Sequence, residues 1–150
     1  MTPGYYRNDD ITAATIVDGW LHTGDIGWID ASGRLHLCDR KKDMIISGGL
    51  NVYPQEVEQV IWAHPAVQDC AVIGIPDEEW GELITAVVEL NPGAEVSADE
   101  LIALCRSKLG GVKTPKRVDF IKSLPRSPAG KVLKRDLRET YWAGKERRVN

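Results

Sequence analysis

The chain has 150 residues, 43% of them hydrophobic and 27% charged, an ordinary composition for a globular domain large enough to bury a core. No apolar run reaches membrane-spanning length, and the first residues lack the basic start and apolar stretch of a secretion signal. The net charge of -3 conceals a basic C-terminal segment, residues 112–150, in which 12 Lys and Arg face 4 Asp and Glu and attract anions.

The first clear pattern along the chain is a β-hairpin. Residues 1–22 show no periodicity, and we expect them to be loosely attached. Two short apolar runs, residues 26–29 and 35–38, then flank Asp30-Ala31-Ser32-Gly33, whose composition and length are typical of a hairpin turn. A further short strand is predicted over residues 44–47.

A helix and two longer strands follow. Pro54 suits the first turn of a helix because it has no N–H to leave unpaired, and Pro65 marks where that helix must have ended. Residues 67–75 and 83–90 are rich in β-branched residues and predict two strands that pair around an acidic turn.

The last third of the chain predicts two helices and a strand. Ser97-x-x-Glu100 has the pattern of a capping box, so a helix begins there and ends at Gly110-Gly111. A strand is predicted over residues 117–121 and an amphipathic helix over 132–141. The sequence therefore predicts an α+β fold, a small mixed sheet with flanking helices.

Cysteine and histidine spacing argues against a metal site or a disulfide framework. The three cysteines are odd in number and show no CxxC pairing, which predicts free thiols in a reducing cytoplasm and no zinc. The three histidines share no ligand spacing. The basic segment is either a solvated basic helix or a binding surface for anions. It has few aromatic residues to stack bases, so a phosphorylated small molecule fits it at least as well as nucleic acid.

Three charged residues are candidates for chemistry. Lys131 follows a Pro/Gly turn, which can place its ammonium on developing negative charge; alternatively it is an exposed lysine that opens a basic helix. Asp25 can accept hydrogen bonds from the two hydroxyls of a ribose, or it can bond its own backbone in a turn. Arg40 can bind ribose or phosphate oxygens, or it can pair with a neighbouring aspartate.

Glycines supply a further candidate site. Gly48-Gly49 after an apolar strand permits positive φ and close approach of another molecule, although a simple turn has the same pattern. The chain contains no G-x-x-x-x-G-K-[ST] motif and therefore no ordinary P-loop to bind the phosphates of ATP.

The order of these motifs resembles a known superfamily. The segments are GWLHTGDIG at residues 19–27, DRKKDMIISGGLNVYPQEVE at residues 39–58 and LPRSPAGK at residues 124–131. Together they closely resemble the C-terminal part of the acyl-adenylate-forming (acyl-CoA synthetase, AMP-binding) superfamily. Its members activate a carboxylate with ATP to an acyl-adenylate and pass the acyl group to a thiol.

The resemblance implies a role for each candidate. Asp25 would bind the ribose of ATP and AMP with help from Arg40, Lys42 would be the hinge, and Lys131 would bridge the carboxylate and the α-phosphate. Other residues would contact CoA: Ser47, Gly48 and Gly49 along the pantetheine tunnel, and Trp80, Lys113 and Lys116 at the CoA nucleotide. Mg²⁺ would enter with ATP through a part of the protein that precedes this chain.

The resemblance also implies a domain division. Residues 1–39 would be the end of a large adenylating domain, including the hairpin, and residues 40–150 a small mobile domain that follows a hinge. The phosphate loop, the adenine site and the acyl pocket of the superfamily precede the part seen here, so we expect the isolated chain to be inactive. Its partners would be the missing N-terminal domain, a small carboxylate and CoA.

Three functions fit this resemblance. The first is the C-terminal part of an acyl-CoA ligase. The motif sequences, which are general ones for the superfamily, and the Arg147-Arg148 pair favour a medium- or long-chain type in fatty acid metabolism. The second is an adenylation domain that loads a carrier protein. The third is a detached, non-catalytic module that binds a nucleotide or a partner, which the reading frame upstream of Met1 would distinguish from an enzyme.

Overall fold

The computed structural model describes residues 2–143, which fall into two compact units that divide between Lys41 and Lys42. Arg147 and Arg148 lie outside the described residues. Among the described residues, no helix is both long and apolar enough to cross a membrane.

The beginning of the first unit is more regular than the sequence suggested. Helix α1 covers Asp9–Thr15, and strands β1 (Ile16–Val17) and β2 (Trp20–Leu21) form a short antiparallel ribbon. Asn8 caps α1, because its side chain accepts a hydrogen bond from the N–H of Ile11 at 3.2 Å. The sequence analysis predicted none of these three elements.

The predicted β-hairpin in the first unit is confirmed. Strand β3 (Asp25–Ile29) pairs antiparallel with β4 (Leu35–Arg40). The Asp30 carboxylate organises the turn: it accepts hydrogen bonds from the backbone N–H of Ser32 at 2.8 Å and of Arg34 at 3.0 Å. The hydrogen bond with His36, followed by those from Ser32 and Arg34, holds the pKa of Asp30 well below its usual range.

The second unit is built on a mixed sheet, as predicted, and this sheet has five strands. The strands are β5 (Ile45–Ser47), β6 (Leu50–Val52), β7 (Val67–Asp77), β8 (Gly81–Leu90) and β9 (Arg117–Ile121). Their order is β6-β5-β8-β7, with β9 parallel to β8 and the other pairs antiparallel. Strand β6 was not predicted, although Gly48-Gly49 between two short runs is a two-residue hairpin signal.

Helices cover both faces of this sheet. They are α2 (Pro54–Trp62), α3 (Ala98–Lys113) and α4 (Lys134–Trp142). Alternate residues of β7 point to opposite faces. Val72 therefore joins the core cluster that contains Val57 of α2 and Leu101 of α3, whereas Ile73 joins the cluster that contains Leu137 of α4. The predicted α+β class with flanking helices is confirmed.

Two helix ends differ from their predicted form. The Ser97 hydroxyl accepts the Glu100 N–H at 3.1 Å, but the Glu100 carboxylate lies 3.3 Å from Nε2 of His64, so we find only one half of the predicted capping box. Helix α4 begins at Lys134 rather than at Val132, because Val132 forms an antiparallel bridge with Arg126.

A buried ion pair connects α4 to α2. Nζ of Lys134 lies 2.7 Å from Oε1 of Glu58, and the two side chains are 18% and 7% exposed. The same Glu58 oxygen accepts the N–H of Val72 at 2.7 Å, so one carboxylate also satisfies a backbone donor of β7. Removing the lysine would leave a buried carboxylate without its cation.

We expect Lys134→Met to lower the free energy of unfolding by about 3 kcal/mol, the usual cost of breaking a buried pair from one side. The double variant Lys134→Met/Glu58→Gln should recover most of this loss, since a glutamine oxygen still accepts the Val72 N–H. Urea unfolding followed by tryptophan fluorescence measures both. Arg135→Gln is the control, because its pair with Glu139 is exposed (82% and 63%) and contributes about 0.5 kcal/mol or less. If Lys134→Met were as stable as the parent chain, the prediction would be wrong.

Candidate catalytic and ligand-binding surfaces

The two predicted nucleotide-binding residues lie side by side in the first unit. Asp25 and Arg40 are register partners on β3 and β4, and Nε of Arg40 lies 2.8 Å from Oδ1 of Asp25. Asp39 instead accepts the backbone N–H of Arg40 at 2.7 Å. The salt bridge of Arg40 is therefore made to Asp25. This pair places a carboxylate beside a cation with several hydrogen-bond donors at one partly exposed site.

Lys131 closes a tight loop. The N–H of Ser127 donates to the carbonyl of Lys131 at 2.8 Å, and the N–H of Gly130 donates to the carbonyl of Ser127 at 2.8 Å. We name residues 127–131 the lysine loop. The Lys131 side chain is exposed, and its ammonium makes no hydrogen bond or ion pair with any residue between 2 and 143. The loop thus fixes the backbone while leaving the cation available.

Arg126 holds the base of the lysine loop. Its Nη1 donates to the carbonyl of Gly130 at 3.3 Å, and its Nη2 lies 2.5 Å from Oδ2 of Asp69 and 3.6 Å from Oε2 of Glu89. Glu89 is itself buried and accepts the N–H of Leu124 at 2.9 Å. The sequence analysis gave Arg126 no role, because its partners are distant in sequence.

Several predicted CoA-binding residues meet at the other end of β8. The N–H of Gly48 donates to the carbonyl of Trp80 at 2.9 Å, and Nζ of Lys116 lies 5.2 Å from the centre of the Trp80 ring. Ser47 is buried and pairs with Gly81, the first residue of β8. We name this group, Ser47, Gly48, Trp80 and Lys116, the Gly48 surface.

Gly48 is tightly placed against Trp80. Its φ is +57°, and a Cβ built on it would lie 3.0 and 3.2 Å from two atoms of the Trp80 ring. Gly49 has φ +79° with nothing within 4 Å of a Cβ. A side chain at residue 48 would therefore push the Trp80 ring aside by at least a few tenths of an ångström in addition to straining the backbone, whereas one at residue 49 would meet only backbone strain.

Lys113 and Lys42 have other contacts. The ammonium of Lys113 pairs with the Glu56 carboxylate of α2, which neutralises it locally. Lys42 lies in a single 3-10 turn, Lys41–Asp43, and its carbonyl accepts a hydrogen bond from Arg138 at 3.4 Å. Neither arrangement was foreseen from the sequence.

The lysine loop and the Gly48 surface lie at opposite ends of the sheet. Strand β8 pairs with Ser47 at Gly81 and reaches Arg126 at Glu89, eight residues further along. At about 3.3 Å per residue these points are about 26 Å apart. The second unit therefore presents two separate candidate surfaces.

The cysteines are free thiols, and two of them lie in the core. They are Cys38, Cys70 and Cys105. Burial, followed by the nearby Glu58 charge, raises the pKa of the Cys70 thiol, and burial raises the pKa of Cys105 to about 11. Both are protonated at neutral pH and are poor nucleophiles. In the part of the chain that the structure describes, no three or more His, Cys, Asp or Glu residues are grouped to hold a metal ion.

Comparison with known proteins identifies the family. Residues 56–131 match the family model described as the AMP-binding enzyme C-terminal domain. The chain therefore belongs to this family, and the resemblance to acyl-adenylate-forming enzymes is confirmed.

Individual relatives are similar over nearly the whole chain. It is 45% identical over 146 residues to a fatty acid–[acyl-carrier-protein] ligase, ScoC, of Streptomyces coeruleorubidus, covering 97% of the chain and 28% of that protein. It is 46% identical over 138 residues to a feruloyl-CoA synthase of an Amycolatopsis species, covering 92% and 28%. The ATP-bound structure of MatB from Rhodopseudomonas palustris matches with a TM-score of 0.85 and 41% identity, covering 96% and 29%. The chain thus spans just over a quarter of the length of these proteins.

Proposed function

We propose that the chain is the C-terminal part of an acyl-CoA ligase, which converts ATP, a carboxylate and CoA to acyl-CoA, AMP and pyrophosphate. The observation that carries the proposal is the pair of surfaces about 26 Å apart on one unit. A rotation of the unit between two steps would bring each of these surfaces to the active centre in turn, and we infer such a rotation from their separation. The ligase names of the relatives support the chemistry.

In the first step a carboxylate oxygen attacks the α-phosphorus of ATP and pyrophosphate leaves. Two anionic groups must approach each other, and the ammonium of Lys131 would neutralise their repulsion. Its fixed loop, and a side chain that pairs with no other residue in the described part of the chain, suit it to this task. Asp25 would accept hydrogen bonds from the ribose hydroxyls, and Arg40, already bonded to Asp25, would add donors to the same nucleotide.

In the second step the CoA thiol attacks the acyl carbonyl and AMP leaves as the C–O bond to phosphate breaks. The Gly48 surface would border the path of the pantetheine arm, with Gly49 at its open edge. Trp80 and Lys116 would contact the CoA nucleotide, an aromatic face and a cation of the kind that bind a base and a phosphate. Lys113 is proposed for the same nucleotide, which requires it to leave Glu56.

The remainder of the enzyme would come from a large domain upstream. We propose that residues 1–39 belong to that domain, that residues 40–150 form the mobile domain, and that Lys42 is the hinge between them. Mg²⁺ would accompany ATP. Residues 2–143 include no group of three or more His, Cys, Asp or Glu that could hold a metal ion.

The purified 150-residue chain is expected to show no carboxylate-dependent ATP–pyrophosphate exchange, because it lacks a phosphate loop. The complete protein should show exchange with at least one acid from a panel of fatty, aromatic and dicarboxylic acids. Radiolabelled pyrophosphate incorporation measures both. Exchange by the isolated chain, or none by the complete protein with any acid, would refute the proposal.

A carrier protein is the second candidate acceptor, since one relative is named a ligase for acyl carrier protein. The chemistry of adenylation is the same, and the thiol would belong to a phosphopantetheine arm on a protein. The complete enzyme given its acyl-adenylate with CoA, and separately with a phosphopantetheinylated carrier protein, distinguishes the two. The acceptor with the larger kcat/KM is the physiological class.

A further inference from the structure

Arg138 binds Lys42, the proposed hinge, and Asp43, the residue that follows it. Its Nη2 lies 2.8 Å from Oδ1 of Asp43, and its Nη1 donates to the carbonyl of Lys42 at 3.4 Å. Both side chains of the ion pair are only 13% exposed. One guanidinium on α4 therefore holds a segment more than ninety residues away in the sequence.

This contact makes the peptide between Lys42 and Asp43 part of the second unit. The guanidinium is planar and rigid, so bonds from its two terminal nitrogens fix both a distance and an orientation. Because the pair is mostly shielded from water, it resists screening by salt. With this peptide held, a rotation of the first unit must use backbone torsions that precede it, φ and ψ of Lys42 among them.

Helix α4 is a firm support for such an anchor. Leu137, the residue before Arg138, is buried in the core beneath the sheet, and Lys134 pairs with the buried Glu58. The lysine loop ends three residues before α4 begins. The pivot and the lysine loop are thus attached to the same short helix.

We propose that Arg138 is a positioning residue that fixes the C-terminal side of the hinge, an inference that rests on the proposed function. It touches no reacting group. Its task is to ensure that each rotation returns the lysine loop and the Gly48 surface to the correct place. A loosened anchor would impair both half-reactions together, unlike a change at either surface.

The first test uses the 150-residue chain and hydrogen exchange at residues 42–44. Arg138→Gln should raise exchange there by about tenfold or more relative to the rest of the chain, because the turn opens locally. Arg138→Lys keeps the charge without the fork and should give an intermediate value. Arg135→Gln, on the exposed side of the same helix, should leave these amides unchanged. Equal exchange at residues 42–44 in Arg138→Gln and the parent chain would overturn the proposal.

The second test uses the complete enzyme. Arg138→Gln should lower kcat of adenylation and of thioester formation by a similar factor, about tenfold or more, with KM for ATP and CoA unchanged. The charge-swapped pair Arg138→Asp/Asp43→Arg should restore part of both rates. Loss of only one half-reaction, or no loss, would overturn the proposal. If the parent enzyme forms no adenylate at all, the proposed function fails. The hydrogen-exchange experiment on the 150-residue chain then decides by itself whether Arg138 anchors the turn.

Discussion

Lys131→Ala in the complete protein is expected to lower the rate of acyl-adenylate formation by about 10²–10³-fold, the usual effect of removing one preorganised electrostatic contact. Thioester formation from supplied acyl-adenylate should stay within about threefold of the parent rate, because the surface proposed for that step lies at the opposite end of the sheet. The physical reason is the exposed ammonium of Lys131, which pairs with no residue between 2 and 143 and stands at the end of a loop whose backbone is already fixed.

Two single-turnover experiments measure this division. Pyrophosphate release reports adenylation, and CoA consumption from synthetic acyl-adenylate reports the second step. Lys122→Ala is the matched control, an exposed lysine that precedes the lysine loop and has no assigned role. Lys131→Arg should recover part of the adenylation rate, since the positive charge remains but a planar guanidinium replaces the compact ammonium. Equal loss of both steps in Lys131→Ala would show that the lysine does not act in adenylation alone.

Local patterns predicted most of the second unit. Pro54 and Pro65 bracket α2, and the two β-rich runs became the paired strands β7 and β8. These succeeded because each depends on neighbours within a few residues. In the first unit, the hairpin turn at Asp30 succeeded for the same reason.

The errors have physical causes. The start of α4 was misplaced because Val132 bridges to Arg126, a contact that helical periodicity does not record. The N-terminal helix and ribbon were missed although Asn8 and Asp18-Gly19 carry capping and turn signals. Each of these signals covers only one or two residues. The segment has no extended apolar pattern of helical or strand periodicity to support them.

The candidate site divides in the same way. Lys131 and the Gly48-Gly49 pair are recognisable in the sequence because they belong to motifs that occur in the same order as in the superfamily. Arg126 and Arg138 are not, since their carboxylate partners come from distant strands and turns. Their placement depends on the folded sheet, so only the structure shows what holds the lysine loop and the turn at Lys41–Asp43 in position.

Gly48→Leu in the complete protein is expected to have the reverse effect of Lys131→Ala. A Cβ at residue 48 already meets the Trp80 ring at 3.0 Å, so a leucine must displace the indole and occupy the path proposed for the pantetheine arm. Thioester formation should fall by about 10²-fold or more, as for a misplaced reacting group, while adenylation stays within about threefold.

The control for Gly48→Leu must carry the same backbone strain without the contact. Gly93 meets this requirement, since its φ is +75° and nothing lies within 4 Å of a Cβ built there. Gly93→Leu should cost stability, which a shift of the urea midpoint measures, but should leave both half-reactions unchanged. If Gly48→Leu transferred its acyl group to CoA at the parent rate, the thiol would have to reach the adenylate by a path that does not pass Trp80.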